Sequence, residues 1–288
     1  MNILWIGCGN MGGAMLQAWL PLLESTGQEV WILRLSKAQL SKLEARKDYP
    51  RLRQRIHLLP DFAGLQAVSG TLREAGKKFD FIVLGMKPQV IREQIHKFVS
   101  FDENSLWLTI AAGLSLSWYR QYKADLRMLR MMPNLGVQVG QSASLLYQES
   151  DLVLSRHEQN LWQQLSRNLG TLIRCRSEEQ LDNATPITGS GPAYFYLLTE
   201  ILQAELQKQG FNVLEAAQLA RATFLGSAAY LKDCIHADGV SVASLRQAVT
   251  SKGGVTEAAL AVLSPQLRNS LEQAIISGIV RNRELQNG

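Results

Sequence analysis

The sequence predicts an α/β protein, with a doubly wound parallel sheet followed by an all-helical domain. Three observations carry this expectation. Short apolar runs alternate with helical segments through the first part of the chain, and a glycine-rich turn follows the first run directly. Beyond about Arg176 the strand-like runs stop and long Ala/Leu-rich segments take over. The expected domains are residues 1–177 and 178–288. With 288 residues and 46% hydrophobic content, the chain is long enough to bury the cores of two medium domains.

Strands are expected at residues 2–6, 30–33, 79–85, 105–110, 127–130 and 142–147, and helices at 11–23, 37–47, 89–99 and 156–169. The run Phe79-Asp80-Phe81-Ile82-Val83-Leu84-Gly85 is nearly continuous in apolar residues, as in a central strand covered on both faces. In the second half, Phe195, Leu198, Leu202 and Leu206 recur at helical spacing, as do Ala217, Ala220, Phe224, Ala228 and Leu231. Both sets read as core stripes. The first of these helices also carries Tyr194, Leu197, Ile201 and Ala204, so it is apolar around most of its circumference and needs cover on more than one side. A partner subunit supplies that cover more readily than a small helical domain does.

Composition excludes several classes. The formal charge is +5, but Lys and Arg are scattered and accompany no aromatic-basic recognition motif. That reads as a solvated basic surface that also attracts anionic ligands, without a nucleic-acid partner. Cys8, Cys175 and Cys234 show neither CxxC nor metal-ligand spacing, which suits a reduced cytoplasmic protein without a metal. Residues 2–6 read as a buried strand rather than a signal-peptide head, and no apolar run approaches the roughly 18 residues of a membrane span. A soluble chain without a membrane partner is expected.

The chemistry begins at Gly7-Cys8-Gly9-Asn10-Met11-Gly12. A strand precedes this GxGxxG and helix formers follow it. The glycines permit a tight turn, backbone approach to a pyrophosphate and close helix packing, and the helix N-terminus presents free N–H groups to phosphates. The end of the second strand reads the ribose. Where NAD-preferring sequences carry an acid, this chain has Arg34, with Ser36 and Lys37 close by. A guanidinium, a hydroxyl and an ammonium suit a 2′-phosphate, so the expected cofactor is NADP. Met86-Lys87-Pro88 and Ala111-Ala112-Gly113 end the third and fourth expected strands at the same carboxyl edge, where a nicotinamide approaches small side chains and backbone. A second loop, Val249-Thr250-Ser251-Lys252-Gly253-Gly254-Val255-Thr256, is able to seat a small anion. None of His57, His96, His157 or His236 falls in a motif.

Taken in order, these segments, with Met132-Pro133-Asn134 and Thr188-Gly189-Ser190-Gly191-Pro192-Ala193-Tyr194, resemble the pyrroline-5-carboxylate reductases, which complete proline biosynthesis. The resemblance covers nearly the whole chain. It implies an N-terminal Rossmann domain and a helical domain through which subunits form a homodimer or a larger assembly of dimers, with the active site where the domains meet. It further implies that Ser251, Gly253 and Gly254 bind the substrate carboxylate, that Thr256 lies beside the ring nitrogen as the catalytic hydroxyl, and that Thr185 borders the substrate pocket. The implied reaction is reduction of a cyclic imino acid, 1-pyrroline-5-carboxylate, to proline by NADPH. Such an imine is substantially protonated near neutral pH, so orientation counts for more than a strong acid. The chain departs from the family pattern at Lys252, where proline is usual, at Val255, where a small residue is usual, and at Asp61-Phe62, where an Asn often borders the adenosine. Lys252 motivates one alternative, a sister imine reductase with another substrate. A non-catalytic NADP-binding regulator is a second, and a hydroxyacid dehydrogenase is disfavoured for want of a Lys or His general acid in the helical motifs.

Overall fold

The computed structural model describes residues 2–35, 37–101, 104–234 and 240–287, and of residues 23–26 and 287 the backbone only. The elements run β1 (Asn2–Cys8), α1 (Asn10–Thr26), β2 (Glu29–Leu35), α2 (Lys37–Glu44), α3 (Tyr49–Leu52), β3 (Ile56–Leu59), α4 (Phe62–Glu74), β4 (Phe81–Leu84), α5 (Pro88–Val99), β5 (Leu106–Thr109), α6 (Leu116–Arg120) and β6 (Met128–Met132). After a 3-10 turn at Leu135–Val139 come β7 (Ser142–Tyr147), α7 (Arg156–Arg167), β8 (Gly170–Arg174), α8 (Glu178–Thr188), α9 (Gly191–Lys208), α10 (Val213–Cys234), α11 (Val242–Ala248) and α12 (Val255–Asn287).

Eight strands form one sheet in the order β3-β2-β1-β4-β5-β6-β7-β8. All neighbours pair parallel except β6 and β7, which are antiparallel. The expected α/β fold is present, with one reversed junction and two strands that the apolar pattern does not announce. One of these, β8, is largely exposed along its length and so lacks an apolar run. The other, β3, has four residues and an exposed Leu58.

Burial explains the centre of the sheet. Every residue of β4 and β5 is buried, because helices cover both faces. One core layer packs Trp5, Met15, Trp19, Ile32, Phe81 and Leu108 together, and the other gathers Leu4, Ile6, Ile82, Ile91, Ile95 and Phe98. The strand order reverses between β1 and β4, which opens a crevice at their carboxyl ends.

The chain forms two compact units, Met1–Ser190 with Ile279–Gly288, and Gly191–Gly278. In the second unit the expected stripes do not close a core within one chain. Ala216 and Ala220 are buried where α10 meets α9, but Phe195, Leu197, Leu225 and Ile276 remain 54%, 56%, 62% and 60% exposed. Among the described residues no helix is long and apolar enough to cross a membrane.

Candidate active site

Each glycine of the first loop has its own reason. Gly7 sits at φ +84, and a Cβ there would lie 2.2 Å from Met86 Cγ. A Cβ on Gly12 would lie 2.8 Å from Gly7 O and 3.4 Å from Gly85 Cα, so this glycine lets α1 close onto the strand ends. At Gly9 a Cβ would meet nothing within 4 Å. It would fill open space that a ligand needs in order to approach the backbone. Gly9 caps α1 without a side-chain hydrogen bond, which leaves the first N–H groups of the helix for an anion.

The space in front of this loop is a cavity of about 660 Å³, lined by Gly7, Cys8, Gly9, Asn10, Met11, Arg34, Leu35, Gly85, Met86, Lys87, Val90 and Ile110. It brings together most of the expected cofactor residues. Cys8 contributes backbone only, because its side chain is buried and burial pushes the thiol up, keeping it protonated. Arg34 takes a left-handed conformation, φ +65, which is unusual for a residue with a Cβ. Ser36 and His236 lie outside the described residues. Of the other expected residues, exposed Lys37 opens α2 and Pro88 starts α5. Ala111 and Gly113 are buried, with Ala111 N donating to Thr109 Oγ1 at 3.3 Å. Gly113, at φ +67, packs so closely on α12 that a Cβ would lie 2.6 Å from Leu285 Cβ. Ala112 is half-buried beside it.

Substituting Arg34 with Asp should reverse or flatten a preference for NADPH over NADH, since a hydrogen bond to a charged group is worth about 1.5–3 kcal/mol. The measurement is kcat/KM with each cofactor. Equal values for both in the unmodified protein would remove Arg34 from that role.

The loop before α12 is held by its own atoms. Gly253, at φ +71, donates its N–H to Glu257 Oε2 at 2.7 Å, and Gly254 N donates to Ser251 O at 3.0 Å. A Cβ on Gly254 would fall 2.2 Å from Ser251 Oγ and 3.0 Å from Ser251 O, so any larger residue would turn that hydroxyl away from its present place. Two of the expected carboxylate donors are therefore already engaged within the loop. The N–H groups of Val255, Thr256 and Glu257 open α12, where no intrahelical acceptor exists for them. Ser251 and Lys252 are exposed and Thr256 is half-buried. Glu257, which fixes the loop, carries no motif in the sequence.

Thr185 lies on α8, its hydroxyl donating to Leu181 O at 2.8 Å. The next residue, Pro186, has no N–H, so Asp182 O loses its helical partner; Asn282 Nδ2 takes its place at 3.2 Å. Around this point lies an ionic cluster that sequence reading does not foresee. Arg130, almost fully buried on β6, contacts Glu178 Oε1 at 2.5 Å and Asp182 Oδ1 at 2.8 Å. Gln286 Nε2 donates to Asp182 Oδ2 at 2.8 Å, and Leu116 N donates to Glu178 Oε1 at 2.8 Å. Burial alone would lower the pKa of Arg130; the hydrogen bonds and charges of Asp182 and Glu178 outweigh it and hold the guanidinium above its usual value. Arg92 adds a second tie, donating to Leu285 O at 2.6 Å at the end of α12 while lying over the Trp118 ring.

Comparison with known proteins agrees with this layout. Residues 178–285 match a family model described as pyrroline-5-carboxylate reductase dimerisation, and residues 2–113 match one described as NADP oxidoreductase coenzyme F420-dependent. The pyrroline-5-carboxylate reductase of Vibrio alginolyticus is 30% identical over 240 residues, covering 82% of this chain and 86% of the relative. That of Pseudomonas aeruginosa is 29% identical over 287 residues, covering 99% and 96%. Among solved structures, the pyrroline-5-carboxylate reductase of Coxiella burnetii superposes with a TM-score of 0.77 at 26% identity, covering 99% of this chain and 98% of the other. The chain belongs to the pyrroline-5-carboxylate reductase family.

Proposed function

We propose that this protein reduces 1-pyrroline-5-carboxylate to L-proline with NADPH. The observation that carries the reading is the cavity at the glycine loop, open at Gly9 and bordered by a cation at the end of β2, in a chain of this family. The loop of Gly7 to Gly12 and the first turn of α1 hold the pyrophosphate, Arg34, Ser36 and Lys37 hold the 2′-phosphate, and Met86, Lys87, Pro88, Ala111, Ala112 and Gly113 flank the nicotinamide. When bound, NADPH supplies the hydride that the imine carbon accepts. Ser251 and the turn shaped by Gly253 and Gly254 bind the substrate carboxylate, through the Ser251 hydroxyl and the N–H groups of Val255 and Thr256 that open α12, since the two glycine N–H groups already serve the loop itself, and Thr185 borders the ring. Thr256 holds the proton at the imine nitrogen, where the C=N electron pair comes to rest. A substrate that arrives protonated needs no stronger acid, and holding it in place supplies most of the rate.

The test is loss of NADPH absorbance with pyrroline-5-carboxylate and a panel of other cyclic imines. Turnover should be fastest with pyrroline-5-carboxylate. Faster turnover of another imine would point to Lys252 as the residue that redirects the loop, and none with any imine would favour a regulator.

The functional unit is a homodimer or an assembly of dimers, in keeping with the dimerisation family and the exposed apolar residues of α9, α10 and α12. Light scattering should find no monomer at micromolar concentration, and a stable active monomer would overturn this. A cytoplasmic setting suits the three free cysteines.

A further inference from the structure

A second cavity of about 280 Å³ shares Arg34 with the glycine-loop cavity. Its apolar wall is Leu33, Pro60, Phe62 and Phe98; Leu33 and Phe98 are buried beneath it, which leaves the rings of Pro60 and Phe62 as the surfaces a purine can meet. Its polar rim is Arg34, Asp61, Gln94 and Lys97. Helix α5 supplies wall to both cavities from one face, because Val90, Gln94 and Lys97 are spaced four and three residues apart.

The rim poses an electrostatic problem for a cofactor with a 2′-phosphate. Asp61 is fixed in place as the cap of α4, its Oδ1 accepting from Gly64 N at 2.9 Å, and a carboxylate there repels a phosphate dianion. Arg34 supplies one opposing charge. Among the described residues neither Arg34 nor Lys97 is ion-paired, so both ammonium and guanidinium are available to an anionic ligand.

We propose that Lys97 is a specificity-determining residue: it joins Arg34 as the second cation for the cofactor 2′-phosphate and offsets Asp61. The inference rests on the reading that the cofactor is NADPH. It places part of the NADP preference on α5, more than sixty residues beyond the β2 terminus, where such preference is ordinarily read.

Calorimetric titration with 2′,5′-ADP and with 5′-AMP tests it without any turnover. Lys97→Met should weaken 2′,5′-ADP about three- to fivefold, less than a fully buried pair would lose because Lys97 is exposed, and leave 5′-AMP within about 1.5-fold. Asp61→Asn should tighten 2′,5′-ADP. Equal losses on the two probes would mean that Lys97 meets the purine, and no loss on either would leave it in solvent; both overturn the assignment. Failure of the unmodified protein to bind 2′,5′-ADP better than 5′-AMP would overturn the NADPH reading together with it. Retained thermal unfolding of Lys97→Met separates any of these results from misfolding.

Discussion

Replacing Arg130 with methionine should lower the unfolding free energy by about 3–5 kcal/mol in denaturant titrations, because it strands two carboxylates in a largely buried site. The side chain of Arg130 is 2% exposed, and those of Glu178 and Asp182 are 24% and 11% exposed. Methionine fills much of the volume but satisfies neither acid. The effect should depend on context in a specific way. Removing the arginine together with one acid, as in Arg130→Met with Glu178→Gln, should cost less than the sum of the two single changes, since groups in one network do not act additively. Asp182 is the harder partner to remove, because it also accepts from Asn282 and Gln286 near the end of α12. Asp182→Leu would leave the Gln286 amide without its acceptor and Asn282 with only the backbone carbonyl of residue 182. A loss below about 1 kcal/mol for Arg130→Met would mean that water or rearrangement satisfies the acids, and that the cluster contributes little to stability.

The sequence discloses the glycine loop because everything needed is local. A strand, three glycines and a helix follow within a dozen residues; Gly7 and Gly12 answer to neighbours in the same turn or at Gly85 and Met86, and Gly9 faces open space. The central strands are legible for a similar reason, since burial on both faces leaves a continuous apolar run. The edge strands β3 and β8 are not, because β3 is only four residues long with His57 inside it, and exposure removes the apolar run from β8. Helix α4 is likewise absent from the sequence expectations, although Asp61 is a recognisable cap once its position is known. The Arg130 cluster is the clearest limit. Its partners lie 48 and 52 residues away, and those amides come from a helix that begins more than a hundred residues beyond β6. No periodicity records such a meeting. In the second unit the sequence shows which helix faces are apolar, but a single chain leaves those faces exposed, so what they pack against is a property of the assembly.

Thr256→Val should lower kcat by about ten- to a thousandfold, toward the lower part of that range where the imine arrives protonated. The substitution is a narrow one. Both residues are β-branched and have similar helix propensity, so the first turn of α12 should keep its shape while the half-buried position loses only a hydroxyl. Two roles for that hydroxyl make different predictions. If Thr256 only helps to seat the substrate, KM should rise and kcat should stay near the unmodified value, as for removal of an interaction made equally in ground and transition states. If it holds the proton at the imine nitrogen, kcat should fall, and the deficit should grow as pH rises from 6 to 9. At the acidic end of that interval the substrate brings its own proton, whereas at the alkaline end the unprotonated imine depends on the protein to keep one in position. Ser251→Ala provides the contrast, since an exposed hydroxyl that serves the carboxylate should change KM without a pH-dependent loss of kcat. Steady-state kinetics of the two variants across that interval would distinguish these roles, and unchanged turnover of Thr256→Val throughout would take Thr256 out of the mechanism.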